Sequence, residues 1–210
     1  MLVKRQFSLN QKLKNSNIEK KIILNISLIC IAGLIIRFYY TPFGIPVSFD
    51  GFTGYFLYTL DISILGHLPN YTLSQSGWSE FLSLFFMNFH SENLIDYTDM
   101  QRTISVILSG ITVIPIYFIC KKFFNNYYSL IGATIFAFEP RIILNSTLGV
   151  SEPLYILAIS LGVLLFLNLN KKIIYLSFGF FGWATIIRPE GQFWFVAFSV
   201  IYFLRFRKNR

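Results

Sequence analysis

The chain has 210 residues, of which 54% are hydrophobic, 19% aromatic and only 13% charged. The length suits one domain, but so apolar a composition excludes an ordinary cytosolic enzyme, a disordered chain and a disulfide-stapled secreted scaffold. The net charge of +8 comes from basic residues clustered at the termini and in short pairs. That pattern indicates membrane topology and no nucleic-acid partner.

Six stretches of the chain have, or nearly have, the roughly 20 apolar residues that a bilayer-spanning helix needs. They cover residues 22–40, 103–120, 127 or 128 to about 143, 150–169, 173–187 and 192–206. The predicted fold is therefore all-α, a polytopic membrane protein of about six transmembrane helices. Its membrane module covers residues 22–206, between a basic cytoplasmic tail at residues 1–21 and a cytoplasmic end at residues 207–210.

The distribution of charge along these spans predicts the orientation of the chain. When the spans alternate, the side of the N-terminus receives 14 of the 18 basic residues, including the pairs at 121–122 and 171–172. The opposite side receives nine of the ten acidic residues. By the positive-inside rule both termini lie in the cytoplasm, and the acidic face lies outside the plasma membrane.

The first outer loop, residues 41–102, is too polar to span a membrane and too aromatic to lie freely in water. It predicts two short interfacial helices, one beginning near Asp50 and ending at Gly66, the other over residues 78–89. At 100° per residue, Asp50 and Asp61 lie on nearly the same side of the first helix, where both could face one water-filled cleft. The alternative is that Asp50 only caps the helix and Asp61 faces solvent.

Further charges stand at the outer ends of the later spans: Glu139 and Arg141, then Glu152, then Arg188 and Glu190. An ionisable group at that depth is costly unless it is paired or faces a wet cavity. Carboxylates suit a hard divalent metal or proton transfer, and guanidinium groups suit phosphate, including that of a lipid-phosphate. The alternative is local neutralisation of Glu139 and Glu190 by the neighbouring arginines.

This layout resembles the N-terminal part of the GT-C superfamily of membrane glycosyltransferases, from about residue 37 to 166 and more weakly to 190. The segments that carry the resemblance are SFDGFTGYFLYTLDISILGHLP, TISVILSGITVIPIYFICKKFF and FAFEPRIILNSTLGVSEPLY. Their order is most similar to the catalytic subunit of oligosaccharyltransferase. Protein O-mannosyltransferases and the aminoarabinose transferase are close rivals.

The resemblance implies that Asp50 is the catalytic or metal-binding aspartate of the first loop and that Glu152 assists it. Both are then candidate ligands of Mg²⁺ or Mn²⁺, although oligosaccharyltransferases carry Asp-x-Asp where this chain has GVSEP. The RPEG segment resembles an Arg-Pro motif of GT-C transferases, which makes Arg188 a candidate for binding the donor phosphate. Arg141 is a second phosphate candidate. Further possible site residues are Glu139, Glu190 and Asp61.

The function implied is transfer of a sugar or oligosaccharide from a polyprenyl-phosphate-linked donor to a protein or glycan acceptor on the outer face. Members of this superfamily carry further spans, and oligosaccharyltransferases add a C-terminal domain with a Trp-Trp-Asp motif. We therefore expect either the N-terminal half of such an enzyme or a short paralogue whose site a second chain completes. The alternative function is a non-catalytic membrane subunit, or truncated paralogue, that binds lipid-linked sugar.

Overall fold

The structure, a computed structural model, describes residues 2–69 and 75–206, with side-chain environments from residue 20 onward. Within these ranges the chain forms helices and no strands, which confirms the all-α prediction. In chain order they are α1 (Leu2–Tyr40), α2 (Phe49–Gly51), a π-helical turn (Phe52–Phe56), α3 (Leu57–Leu65), α4 (Gly77–Phe86), α5 (Leu94–Ile111), α6 (Val113–Lys121), α7 (Asn126–Phe138), α8 (Pro140–Thr147), α9 (Glu152–Phe166), α10 (Lys171–Ile187) and α11 (Gly191–Phe206).

In the described part of the chain, two helical segments are long and apolar enough to cross a membrane. They are Lys20–Tyr40 within α1 and Leu94–Lys121, which combines α5 and α6. The apolar helices α9 and α11 are shorter. All six predicted spans are helical over most of their length, and six membrane crossings stay a prediction.

The predicted tail at residues 1–21 is continuous with the first helix. The backbone of α1 is helical from Leu2, so the chain enters the apolar segment without a break. The side chains of residues 1–19 and the predicted cytoplasmic end at residues 207–210 lie outside the described part of the structure.

The second helix begins earlier than predicted, so residues 94–102 belong to α5 and not to the first outer loop. Asn93 caps α5, because its side chain accepts a hydrogen bond from the backbone N–H of Ile95 at 3.0 Å. The first turns of α5 carry polar side chains, so a prediction based on apolar runs places the start of this helix too late. The extra turns bring two polar residues, Gln101 and Arg102, into the helix bundle.

The third helix ends earlier than predicted. Helix α7 stops at Phe138, and Glu139 is extended with φ −64° and ψ 118°. The cause is Pro140, which lacks an N–H and disfavours helical backbone in the residue before it. The chain restarts with Pro140 in the first turn of α8, so Arg141 lies on a separate short helix.

Helix α4 connects the first loop to the rest of the bundle. Its Trp78 and Leu82 are fully buried in a core cluster with Leu154 of α9 and Ile187 of α10. A Cβ on Gly77 would lie 2.9 Å from the backbone nitrogen of Ile187, so glycine allows this close approach. The loop is therefore packed against the end of α10, one residue before Arg188.

Candidate functional site

An open cleft of about 370 Å³ lies where the first loop meets the start of α9 and the end of α10. Three of its lining residues are the predicted Asp50, Glu152 and Arg188, which come from three separate parts of the chain. Among the described residues, the lining consists of Asp50, Thr53, Gly54, Tyr55, Gln75, Val150, Glu152 and Arg188. The cleft therefore combines two carboxylates, one guanidinium, and hydroxyl and amide groups.

The segment that carries Asp50 is docked directly on the turn that precedes Glu152. The Ser48 hydroxyl donates to the Leu148 carbonyl oxygen at 3.0 Å, and its oxygen accepts from the Gly51 N–H at 3.2 Å. Ser48 is thus the N-cap of α2, which leaves the Asp50 carboxylate free of a capping role. A Cβ on Gly51 would lie 2.8 Å from the Leu148 oxygen, so only glycine permits this approach.

Two buried side chains of the bundle hold these segments together. The Gln101 Nε2 donates to the carbonyl oxygens of both Gly51 and Gly149, and the Trp78 indole N–H also donates to Gly149 at 3.3 Å. Gly149 has φ +73°, and a Cβ there would lie 2.7 Å from a methyl group of Val47. The relative positions of Asp50 and Glu152 therefore depend on a fully buried amide between them.

The π-helical turn shapes the wall next to Asp50 and supplies three lining residues, Thr53, Gly54 and Tyr55. The Tyr55 hydroxyl donates to Gln75 at 3.2 Å and lies 3.0 Å from the Ser151 hydroxyl. A π-helical turn holds more residues than an α-helical one, so it changes the phase of the following helix. Asp61 is not among the residues that line this cleft, so the two aspartates do not share it.

Glu152 and Arg188 form an ion pair across the cleft. The Arg188 Nη1 lies 2.5 Å from Glu152 Oε1, with about a quarter of the arginine and 30% of the glutamate side chain exposed. Arg188 also donates to both carboxylate oxygens of Glu190, from Nη2 at 3.2 Å and from Nε at 3.3 Å. One face of its guanidinium lies over the Tyr155 ring, 5.9 Å from the centroid.

These contacts shift the pKa of both charged partners at the end of α10. Hydrogen bonds from Arg188, with a backbone hydrogen bond and its positive charge, lower the pKa of Glu190. Partial burial lowers the pKa of Arg188, but hydrogen bonds and charges of Glu190 and Glu152 outweigh burial and raise it. Arg188 is therefore a permanent cation of the cleft, already shared between two carboxylates.

The remaining predicted residues lie outside the cleft lining. Glu139 is half-buried at the N-cap of α8, and Arg141 is exposed on that helix. Glu190 is exposed beside Arg188, as the alternative of local neutralisation predicted. Glu152 has no cation adjacent in the sequence, and the fold supplies Arg188 from 36 residues away.

Sequence reasoning missed the two buried arginines of the bundle and Gln101. Arg37 is fully buried and donates to Ser109 at 3.0 Å and to the carbonyl oxygen of Ala137 at 2.8 Å. Arg102 is also buried and donates to carbonyl oxygens of the first loop. Their guanidinium groups serve the fold and lie outside the cleft lining.

The donor set of the cleft does not fit a divalent metal ion. One Glu152 oxygen is paired with Arg188, whose positive charge opposes a cation at that position. Among the described residues, no group of three or more His, Cys, Asp and Glu side chains is arranged to hold a metal. The Mg²⁺ or Mn²⁺ assignment to Asp50 and Glu152 stays a prediction, and no step below depends on it.

No family model, curated protein or solved structure matches this chain. The chemistry of the cleft is therefore inferred from its own residues.

Proposed function

We propose that the chain is a polytopic membrane glycosyltransferase, or the N-terminal half of one. It transfers a sugar or oligosaccharide from a polyprenyl-phosphate-linked donor to a protein or glycan acceptor at the outer face. The observation that carries the proposal is the cleft, which brings Asp50, Glu152 and Arg188 together from three distant segments. Asp50 has no ion pair among the described residues, and the Arg188 guanidinium lies in the same open cleft. A free carboxylate beside a fixed cation suits proton transfer next to a leaving phosphate.

The residues can divide the chemistry of an inverting transfer between them. Asp50 is exposed in the cleft and has no ion pair among the described residues, so its carboxylate is available as a general base. It takes the proton of the acceptor while the acceptor atom bonds to the anomeric carbon. The bond from that carbon to the phosphate oxygen breaks, and the lipid phosphate leaves with the negative charge. Arg188 stabilises that charge.

Glu152 is suited to hold Arg188 in position during this step. Its Oε1 pairs with the guanidinium, while its buried Oε2 has no hydrogen-bond partner in the described part of the chain. Because less than 1 Å² of this oxygen is accessible, we assign it no substrate contact, and Glu152 acts through its pair with Arg188.

The surface of the helices supports a membrane location. Ile23 and Ile35 of α1 are each more than 60% exposed, and α11 has only Gly191 buried among its described residues. So large an apolar surface is stable in contact with lipid. Helix α10 spans about 25 Å from Lys171 to its last residue, which separates the lysine pair from the cleft by nearly a bilayer core. The positive-inside rule then puts the cleft at the outer face.

Transfer from a labelled polyprenyl-phosphate sugar, in membranes that hold the full chain and its native acceptors, tests the proposal. We expect Asp50→Asn to lower the rate by about a hundredfold or more, because it removes the general base. Asp61→Asn is the matched control, since it removes the same charge outside the cleft and should keep the wild-type rate. A wild-type rate in Asp50→Asn would remove the catalytic assignment.

A second candidate is a non-catalytic membrane subunit that binds lipid-linked sugar. The ion pair between Glu152 and Arg188 favours it, because that pairing leaves Asp50 as the single unpaired carboxylate of the cleft. Donor binding without turnover by wild-type membranes, unaffected by adding acceptor, would favour this candidate over the enzyme.

A further inference from the structure

The guanidinium of Arg188 uses two different edges for its two carboxylate partners. Nε and Nη2, which lie on the same side of the guanidinium, donate to the two oxygens of Glu190. Nη1, at the other end, lies against Glu152 Oε1. The fork formed by Nε–H and Nη2–H is thus occupied by Glu190, and Nη1 is in contact with Glu152.

The two contacts differ in length and in exposure. The Glu190 distances are 3.2 and 3.3 Å, longer than a usual charge-assisted hydrogen bond, and half of the Glu190 side chain is exposed. The Glu152 contact is 2.5 Å long, and 30% of that side chain is exposed. Exposed ion pairs contribute little to stability, so Glu190 is the partner that can be exchanged.

Glu190 can leave the guanidinium without a change in the fold. It belongs to a short turn between α10 and α11 that is closed by a backbone hydrogen bond from Gly191 to the Arg188 carbonyl oxygen at 3.0 Å. That bond does not involve the Glu190 side chain. Rotation of the side chain into solvent therefore frees both donors of the fork.

We propose that Glu190 is an exchangeable occupant of the Arg188 fork, and that a phosphate oxyanion displaces it while Glu152 keeps its contact with Nη1. The inference rests on the proposed function, because that function supplies a phosphate group to this end of the cleft. Glu190 then covers the guanidinium fork while the cleft is empty and sets the affinity for the incoming phosphate. The same chemistry accepts the phosphate of a membrane lipid or free phosphate.

Removal of the competing carboxylate should strengthen phosphate binding. We expect Glu190→Gln to lower the Kd for polyprenyl phosphate by about 1.5- to fivefold, the range that an exposed ion pair contributes. Arg188→Lys keeps the charge but removes the fork, and should raise the Kd about tenfold. Glu92→Gln is the matched control, because it removes an exposed carboxylate outside the cleft lining and should leave the Kd unchanged.

The experiment measures binding to the full chain in phosphatidylcholine nanodiscs, with polyprenyl phosphate in the bilayer or inorganic phosphate in solution. Tighter binding in Glu190→Gln, with no change in Glu92→Gln, supports the exchange. The probe that shows the effect identifies the source, a lipid phosphate or a free phosphate.

Three negative results have different meanings. If wild type binds phosphate, Arg188→Lys loses it and Glu190→Gln changes nothing, then the exchange is wrong and the phosphate role of Arg188 stands. If no variant binds either probe, while Asp50→Asn still abolishes sugar transfer, then the phosphate is held elsewhere and the inference falls without the proposed function. If wild type showed neither phosphate binding nor sugar transfer, the exchange and the proposed function would both be wrong.

Discussion

Arg102 and Arg188 are both largely enclosed by the protein, yet their main acceptors are of different kinds. Arg102 donates to the backbone carbonyl oxygens of Ile45, Pro46 and Thr147, with one longer contact of 3.5 Å to the Asp99 carboxylate, and only 2% of it is exposed. Arg188 pairs with two side-chain carboxylates and lines an open cleft. A carbonyl oxygen cannot leave without moving the backbone, whereas a carboxylate leaves by a rotation of its side chain.

The comparison separates a structural arginine from one that is free to bind a ligand. Arg102 holds the first loop and the end of α8 against α5, so its hydrogen bonds are part of the fold. The end of α10 is already packed against α4 by the close approach of Gly77 to Ile187. The Arg188 side chain is therefore not required for that packing. The identity of the acceptor is therefore more informative than burial alone.

The largest effect is expected from Arg102→Met. This change leaves three carbonyl acceptors without their donor, and we expect the free energy of unfolding in detergent micelles to fall by about 2–4 kcal/mol. Arg141→Met is the control, since Arg141 is exposed on α8 and should change stability little. If Arg102→Met were as stable as the control, the carbonyl oxygens would have other donors, and the comparison would fail.

A smaller effect is expected from Gln101→Met, which removes the amide between the Asp50 and Glu152 segments. Two buried carbonyl oxygens, of Gly51 and Gly149, lose a donor, so stability should fall by about 1–3 kcal/mol. Amide hydrogen exchange should increase in residues 48–52 and 148–151 and remain unchanged in α7. Equal hydrogen exchange in wild type and variant would mean that the Gln101 side chain does not hold these segments. The control is Gln192→Met, because Gln192 is exposed on α11.

Much of the candidate site was predictable because charges are costly at the ends of apolar helices. Asp50, Glu152 and Arg188 each stand beside an apolar run, and the alternation of spans predicted that all three share one side of the membrane. Their common cleft could not be derived from that pattern, because it depends on Ser48 and Gly51 docking on the turn before α9.

Other features could not be read from hydropathy, for reasons that the fold makes clear. The place of Gln101 in a helix could not be derived from hydropathy, because the first turns of α5 are polar and resemble a loop. The side on which Asp61 lies could not be derived from the 100° rule, because a π-helical turn precedes it. The fully buried Arg37 was missed because its acceptors are a serine and backbone carbonyls.

Arg188→Gln tests the other side of the comparison. Both partners of this arginine are partly exposed and can turn to water, so we expect stability to fall by about 1 kcal/mol or less. Phosphate binding should fall far more than stability does. A loss of stability as large as that of Arg102→Met would show that Arg188 is structural and that its carboxylate partners are not exchangeable.

The smallest effect concerns the pH dependence of the pair between Arg188 and Glu190. Hydrogen bonds from Arg188 lower the pKa of Glu190 in the folded chain, so this carboxylate stabilises the fold when it is ionised. The contribution is complete above the ordinary glutamate pKa of about 4.3 and is lost as the pH falls through the lower pKa of the folded state. Wild type should therefore exceed Glu190→Gln in stability by about 0.5 kcal/mol at pH 6, and the difference should disappear once the pH is below the folded-state pKa of Glu190. Thermal unfolding of both chains across this pH range measures it, with Glu92→Gln as the reference for the removal of a charge without a strong partner. A difference that persisted at low pH would mean that Glu190 acts through packing and not through its charge, and the Arg188 fork would then have no ionic occupant to exchange.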